Sequence, residues 1–99
     1  MARRKIVWTQ KANLERREIL EYWINKNKSK TYSIKLNKLV IESLKILSEH
    51  PNIGRETSDK NTRVRIVRDY LIFYEVTKTE IIIQSVWDGR REENTSDSK

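Results

Sequence analysis

The spacing of apolar residues changes once along this chain, and that change constrains the fold more than any other feature. From Lys11 to Glu49 the apolar residues recur with the period of an α-helix, whereas from Arg63 onward they alternate like those of a β-strand. Between the two regions lies His50–Gly54, whose proline and glycine cannot continue a helix. The pattern therefore predicts two helices followed by a sheet.

The two predicted helices differ in the clarity of their apolar stripes. The first runs from Lys11 to about Asn27, with Thr9 as its N-cap, and Leu14 lies outside its stripe. The second covers about residues 30–49, and Ile34 and Ile41 lie opposite its stripe. These two isoleucines pack either on the sister helix or on a partner protein. The stripe of the second helix consists of Tyr32, Leu36, Leu39, Val40, Ser43, Leu44 and Leu47.

Four segments rich in Val, Ile, Tyr and Phe are predicted strands: Ile6–Trp8, Arg63–Arg68, Tyr70–Thr77 and Glu80–Trp87. The short links between the last three favour antiparallel pairing. The order β-α-α-β-β-β predicts an α+β fold, with a helical hairpin on one face of an antiparallel-rich sheet. The position of the first strand in that sheet does not follow from the pattern.

The chain is expected to form a single domain over residues 1–91, followed by a disordered polar tail over residues 92–99. It has no cysteine, its two glycines make no phosphate-binding loop, and its acidic residues are scattered. We therefore expect no cofactor and no metal. No apolar run is long enough to span a membrane, which favours a cytoplasmic protein with no membrane partner.

Strand register predicts which side chains share a face of the sheet. Pairing Val67 with Tyr70 and Val76 with Ile81 gives two faces. The face predicted to be uncovered carries Arg63, Arg65, Tyr70, Ile72, Tyr74, Ser85 and Trp87. The face predicted to lie beneath the helices carries Val64, Ile66, Leu71, Phe73, Ile82 and Val86.

The mixture of arginine, tyrosine and tryptophan on the first face has two interpretations. Guanidinium groups bind phosphate and aromatic rings stack on unpaired bases, so the face suits a nucleic acid. The same side chains also pack against each other in ordinary sheets.

The distribution of charge also indicates the kind of partner. The net charge is +7, and residues 1–38 hold 11 basic and 3 acidic side chains. Such an excess suits a polyanion or an acidic protein, although it also keeps a small protein soluble.

Four blocks of this sequence, in this order, resemble the RelE/ParE superfamily of type II toxins. They are Ile6–Thr9 with Tyr22–Ile24, the helix end Leu47 to Arg55, the central block Arg63–Val76, and Ile81–Arg91. The resemblance spans residues 5–91 and implies the same β-α-α-β-β-β fold. It also implies a cognate antitoxin as partner, with oligomers formed only through the antitoxin complex.

Two functions are implied, according to the branch of the superfamily. RelE-like members cleave mRNA on the ribosome, and their pattern assigns catalysis to Arg65, Tyr74 and Arg90. Members that carry a C-terminal His-Tyr pair use it for proton transfer, whereas this chain has Gly89-Arg90 there and its only histidine is His50. ParE-like members instead inhibit DNA gyrase by binding, and the ending Trp87–Arg91 resembles theirs more closely.

The expected target is therefore gyrase, with the ribosome and mRNA as the alternative and a non-toxic nucleic-acid-binding domain as a further one. Residues expected to contact the target or a nucleic acid are Arg63, Arg68, Tyr70, Trp87 and Arg91. An acidic or amphipathic antitoxin segment is expected to cover the apolar residues left outside the helix stripes, namely Leu14, Ile34 and Ile41.

Overall fold

The helices and strands follow the predicted order, with one short turn and one short strand added. The computed structural model describes residues 3–89. Its elements are β1 (Lys5–Trp8), α1 (Gln10–Asn27), α2 (Thr31–Glu49), a 3-10 turn (Pro51–Ile53), β2 (Arg55–Glu56), β3 (Thr62–Val67), β4 (Tyr70–Val76) and β5 (Glu80–Asp88). The predicted tail and the candidate residues Arg90 and Arg91 lie outside the described residues.

The two helices form a hairpin whose ends are defined by local hydrogen bonds. Thr9 caps α1 as predicted, because its hydroxyl accepts a hydrogen bond from the Ala12 amide at 3.1 Å. The helix ends at Asn27, and its C-cap Lys28 adopts the left-handed conformation with φ of 54°. The Ser33 hydroxyl of α2 donates to the Leu20 carbonyl of α1, which ties the two helices together.

Five strands form one mixed sheet in the order β1-β5-β4-β3-β2. β1 lies at an edge and runs parallel to β5, while every other neighbouring pair is antiparallel. This resolves the position of the first strand, which the sequence pattern left open. Among residues 3–89, no helix is long and apolar enough to cross a membrane.

The helices cover the opposite face of the sheet from the one predicted. The tyrosines Tyr70 and Tyr74 are 2% and 0% exposed, and they lie in one core with Leu36 and Leu47 of α2. In contrast, Ile66 is 49% exposed, although it was expected beneath the helices. Other buried sheet residues are Thr62, Val67, Ile72, Ile81, Ile83, Ser85 and Val86. Of the set predicted to be covered, Val86 is the one that is buried; Val64, Leu71, Phe73 and Ile82 are partly exposed.

Hydrogen bonding explains why the tyrosine face is the buried one. A buried tyrosine contributes a large apolar ring, provided that its hydroxyl finds a partner. Tyr70 accepts a hydrogen bond from the Trp23 indole at 2.6 Å, and the Tyr74 hydroxyl donates to the Pro51 carbonyl at 2.8 Å. The sequence pattern treated both residues as polar markers of a solvent-facing surface, which was wrong.

A change of register in β5 explains the position of Trp87. The predicted pairs of β3 with β4 and of Val76 with Ile81 are confirmed. Between Phe73 and Tyr74, however, the pairing with β5 shifts, so that Gln84 is an extra residue. Trp87 therefore pairs with Leu71 rather than with Tyr70, and it is exposed on the uncovered face of the sheet.

The Glu15 side chain of α1 holds this irregular segment of β5. One of its carboxylate oxygens accepts hydrogen bonds from the Ser85 hydroxyl at 2.9 Å and from the Val86 amide at 2.8 Å. The other oxygen pairs with Lys11 at 2.8 Å. Burial opposes ionisation of Glu15, but these hydrogen bonds outweigh it and hold the pKa below its ordinary value. Glu15 thus joins α1 to the point where β5 changes register.

We expect Glu15→Gln to lower the free energy of unfolding by about 1–2 kcal/mol at neutral pH, because charge-assisted hydrogen bonds are lost. The folded pKa of Glu15 lies below the unfolded value, so this contribution is present above the unfolded pKa and is lost as the pH falls through the folded pKa. Urea unfolding of the wild type and of Glu15→Gln gives the two free energies of unfolding, and the difference between them should shrink as the pH decreases. The exposed Glu18 on the same helix provides the control, as Glu18→Gln. A difference that stays constant with pH would contradict the assignment.

Candidate functional site

An open groove of about 270 Å³ lies between α2 and β3. One wall is a helix and the other is a strand, so residues that are distant in sequence meet in the groove. The α2 wall carries Leu39, Glu42, Ser43 and Ile46, and the β3 wall carries Arg65, Ile66, Val67 and Arg68 of the following turn.

The groove runs along a strand edge that is only partly occupied. β2 pairs with Arg63 and Val64 alone, so within residues 3–89 the same edge of β3 has no neighbouring strand from Arg65 to Val67. An unpaired strand edge presents backbone donors and acceptors to which an extended peptide can add. The groove therefore combines an open backbone edge with a helix wall.

The groove contains both apolar and cationic side chains. Ile46 on the α2 wall is 44% exposed, so apolar surface faces solvent there, while Ile66, which also borders the groove, is 49% exposed on the side of the sheet away from the helices. The Arg65 guanidinium is held against α2, because its Nε donates to the Ser43 hydroxyl at 3.0 Å. No described residue accepts a hydrogen bond from its terminal nitrogens. Arg68 is exposed at the turn. The groove can thus bind a segment that alternates apolar side chains with carboxylates.

Comparison with known proteins assigns the family. A family model described as the ParE toxin of the type II toxin–antitoxin system parDE matches residues 6–93. The chain belongs to the ParE toxin family. No curated protein matches the sequence. A solved structure described as the chromosomal ParDE toxin–antitoxin system from P. aeruginosa superposes with a TM-score of 0.72, covering 84% of this chain and 92% of that one at 18% identity. At that identity the similarity shows the fold alone.

In this ParE-family chain, Tyr74 is the predicted catalytic residue that the structure places furthest from solvent, while Arg90 lies outside the described residues. Burial raises the pKa of the Tyr74 hydroxyl, although the Gly54 amide, Arg63 and Arg65 oppose the shift. That hydroxyl also accepts a hydrogen bond from the Gly54 amide at 3.0 Å. A buried phenol with a raised pKa is poorly suited to act as a base on an external substrate. Tyr74 therefore serves to anchor the turn before β2.

The residues predicted to contact a target divide into two groups. Arg63 supports the fold, because it donates to the Gly54 carbonyl at 2.7 Å and to the Asn52 carbonyl at 3.1 Å. Tyr70 is buried, whereas Arg68 and Trp87 are exposed. The structure thus leaves Arg68 and Trp87 accessible, on the groove and on the uncovered sheet face respectively.

The residues predicted to bind the antitoxin are all exposed, but they lie away from the groove. Leu14, Ile34 and Ile41 are 46%, 65% and 43% exposed. The alternative that the two isoleucines pack on the sister helix is therefore wrong. At 100° per residue, they lie on the opposite flank of α2 from Leu39 and Ile46.

Sequence reasoning missed the groove for a specific reason. It assigned Leu39 to the buried stripe and did not single out Ile46. The spacing of seven residues between them places both on one flank of the helix, and this was the available signal. What the pattern did not contain was the unpaired length of β3 that faces this flank.

The close approach of Gly54 to Tyr74 generates a prediction about stability. A Cβ atom at position 54 would lie 2.3 Å from the Tyr74 hydroxyl oxygen, so the ring must move and lose its hydrogen bonds. We expect Gly54→Ala to lower the free energy of unfolding by about 2–4 kcal/mol. The exposed neighbour Asn52, as Asn52→Ala, should change it by less than about 0.5 kcal/mol. Equal urea midpoints for the two variants would contradict this role of Gly54.

Proposed function

We propose that this protein is the toxin of a toxin–antitoxin pair, that it arrests growth by binding DNA gyrase in the cytoplasm, and that its antitoxin neutralises it. The observation that carries the proposal is the match of the ParE toxin family over residues 6–93. Gyrase is the target implied by the resemblance of this chain to ParE-like rather than RelE-like members.

The placement of the candidate catalytic residues supports binding rather than RNA cleavage. Cleavage of RNA requires a base near the ribose hydroxyl and cations on the phosphate, all accessible to one substrate. Tyr74 is 0% exposed and its hydroxyl is used by the turn before β2, so this candidate base is closed to an external substrate. A toxin that inhibits by occupying a surface of its target needs no such cluster.

The groove between α2 and β3 is the proposed seat of the antitoxin. An extended segment adding to β3 from Arg65 to Val67 would place alternate side chains on the two sides of the sheet. Those on the helix side would contact Ile46 or pair with Arg65, those on the other side would contact Ile66, and an acidic residue near the turn would pair with Arg68. Leu14, Ile34 and Ile41 remain proposed contacts for a separate part of the antitoxin, because they are exposed on the helices.

Expression without the antitoxin tests the proposed activity. We expect induction to arrest growth and to reduce the supercoiling of a reporter plasmid, while mRNA examined by primer extension stays uncut. The same purified protein should inhibit gyrase supercoiling in vitro, and adding the antitoxin should reverse this. New 5′ ends phased with codons and unchanged supercoiling would contradict the gyrase target and support the ribonuclease alternative. Normal growth with intact, folded protein present would contradict the toxin function.

Paired substitutions on the two flanks of α2 test the antitoxin seat. The partner is the protein encoded by the adjacent reading frame, purified and titrated against the toxin by calorimetry. We expect Ile46→Glu to weaken binding at least about tenfold, because it places an acid in the groove opposite the proposed acidic partner. Ile34→Glu is the matched control, since Ile34 is also exposed on α2 but faces away from the groove. If Ile34→Glu weakened binding more than Ile46→Glu did, the main antitoxin contact would lie on the outer surface of α2 and the proposed seat would be wrong.

A further inference from the structure

The tip of the helical hairpin carries a concentrated positive charge. Between Glu21 and Glu42 the sequence contains five lysines and no acidic residue. All five are exposed, and they lie on the last turn of α1, on the link between the helices and on the first half of α2. We call them the hairpin patch, which consists of Lys26, Lys28, Lys30, Lys35 and Lys38.

The charge of the hairpin patch is not neutralised within the fold. In residues 3–89 the ion pairs involve Arg3, Lys11 and Arg63, and none involves a lysine of the patch. The first turn of α2 also contains no acidic residue, although carboxylates stabilise the N-terminus of a helix. Lys35 and Lys38 lie about 60° apart around α2, so their like charges repel. The arrangement costs stability in the free protein, and an external polyanion would relieve the repulsion.

The other exposed side chains of this segment fit a phosphate backbone better than a protein surface. Asparagine, serine and threonine contact phosphate oxygens alongside lysine, whereas protein interfaces are depleted in lysine and serine and enriched in aromatic residues. Between residues 25 and 38 no exposed side chain is an aromatic ring on which an unpaired base could stack. This composition favours duplex DNA over a protein or a single strand. Apart from the patch, the exposed residues there are Asn25, Asn27, Ser29, Thr31 and Ile34.

The length of the hairpin patch allows it to contact several phosphates at once. From Lys30 to Lys38 the helix rises about 12 Å, at about 1.5 Å per residue. Over that length a DNA duplex carries about seven phosphates, at one negative charge per about 1.7 Å. Lysine is a point charge on a flexible four-carbon chain, so each ammonium group can reach a phosphate without a fixed geometry. Such contacts bind the backbone and do not read the bases.

We propose that the hairpin patch binds the phosphate backbone of duplex DNA without preference for sequence. This inference goes beyond the proposed function, because the binding is a property of the chain alone and needs neither gyrase nor the antitoxin. In the proposed function the target itself acts on DNA, so this contact would raise the concentration of the toxin near its target.

The test compares two triple variants of the full-length chain that carry the same net charge. The patch variant combines Lys30→Gln, Lys35→Gln and Lys38→Gln. Fluorescence anisotropy of a labelled duplex of about 20 base pairs measures binding between about 50 and 200 mM KCl. Circular dichroism and thermal unfolding establish that both variants are folded. The control variant replaces three exposed lysines outside the patch, as Lys45→Gln, Lys60→Gln and Lys78→Gln.

We expect the affinity of the wild type to fall steeply with salt, because each contact between lysine and phosphate releases a counterion. Four to five contacts give a slope of about −4 for the logarithm of the binding constant against the logarithm of the salt concentration. The patch variant should bind DNA at least about tenfold more weakly, with a slope shallower by about 3. The control variant should change DNA affinity less than about threefold. Calorimetry should show that the patch variant keeps its antitoxin affinity within about threefold.

Four results would overturn this inference. The first is a wild type that does not bind the duplex at the lowest salt concentration, and the second is a wild type that binds an unpaired strand of the same length more tightly. If the two variants lost DNA affinity equally, overall charge rather than the patch would attract DNA. If the patch variant lost antitoxin affinity and kept its DNA affinity, the patch would be an antitoxin contact.

The same measurements separate this inference from the proposed function. A wild type that binds DNA as expected, but neither inhibits gyrase nor arrests growth, would support the DNA contact and contradict the gyrase toxin. A wild type that inhibits gyrase and arrests growth without binding DNA would contradict the hairpin patch alone.

Discussion

The hydrogen bonds from β5 to Glu15 are the interaction on which the arrangement of this protein depends. They join α1 to the segment where Gln84 is inserted and the pairing of β4 with β5 changes register. Because side chains alternate along a strand, one inserted residue exchanges the two faces for everything that follows. The result is that Val86 lies in the core while Trp87 is exposed on the other side. Without this change Trp87 would not lie on the same face as Phe73, whose ring is 5.0 Å from the Trp87 ring in an edge-to-face contact.

The fold was predictable from sequence because its signals are local. The helix period, the Pro-Gly break and the short links between strands depend on neighbouring residues, and all of them agree. The face of the sheet was not predictable in the same way. Counting alternate residues assumes a regular strand, whereas Gln84 gives no sign in the sequence that it is an extra residue. The burial of Tyr70 and Tyr74 was not predicted for a second reason. It is favourable because their hydroxyl groups bond to Trp23 and Pro51, which are distant in sequence.

The candidate sites also differ in how much the sequence revealed. Ile34 and Ile41 could be singled out because they fall outside a clear helix stripe, but the pattern did not decide between packing on the sister helix and exposure to a partner. The groove could not be predicted from the sequence pattern. It exists because β2 pairs with only two residues of β3, and the pattern gives no sign of where that pairing stops.

Amide hydrogen exchange of the toxin alone and in complex with its antitoxin is the most direct measurement of where the antitoxin binds. If the antitoxin adds to β3, it slows exchange of those backbone amides between Arg65 and Arg68 that point to the open strand edge rather than to β4. Protection confined to the outer surfaces of α1 and α2, around Leu14, Ile34 and Ile41, with β3 unchanged, would contradict this placement of the antitoxin.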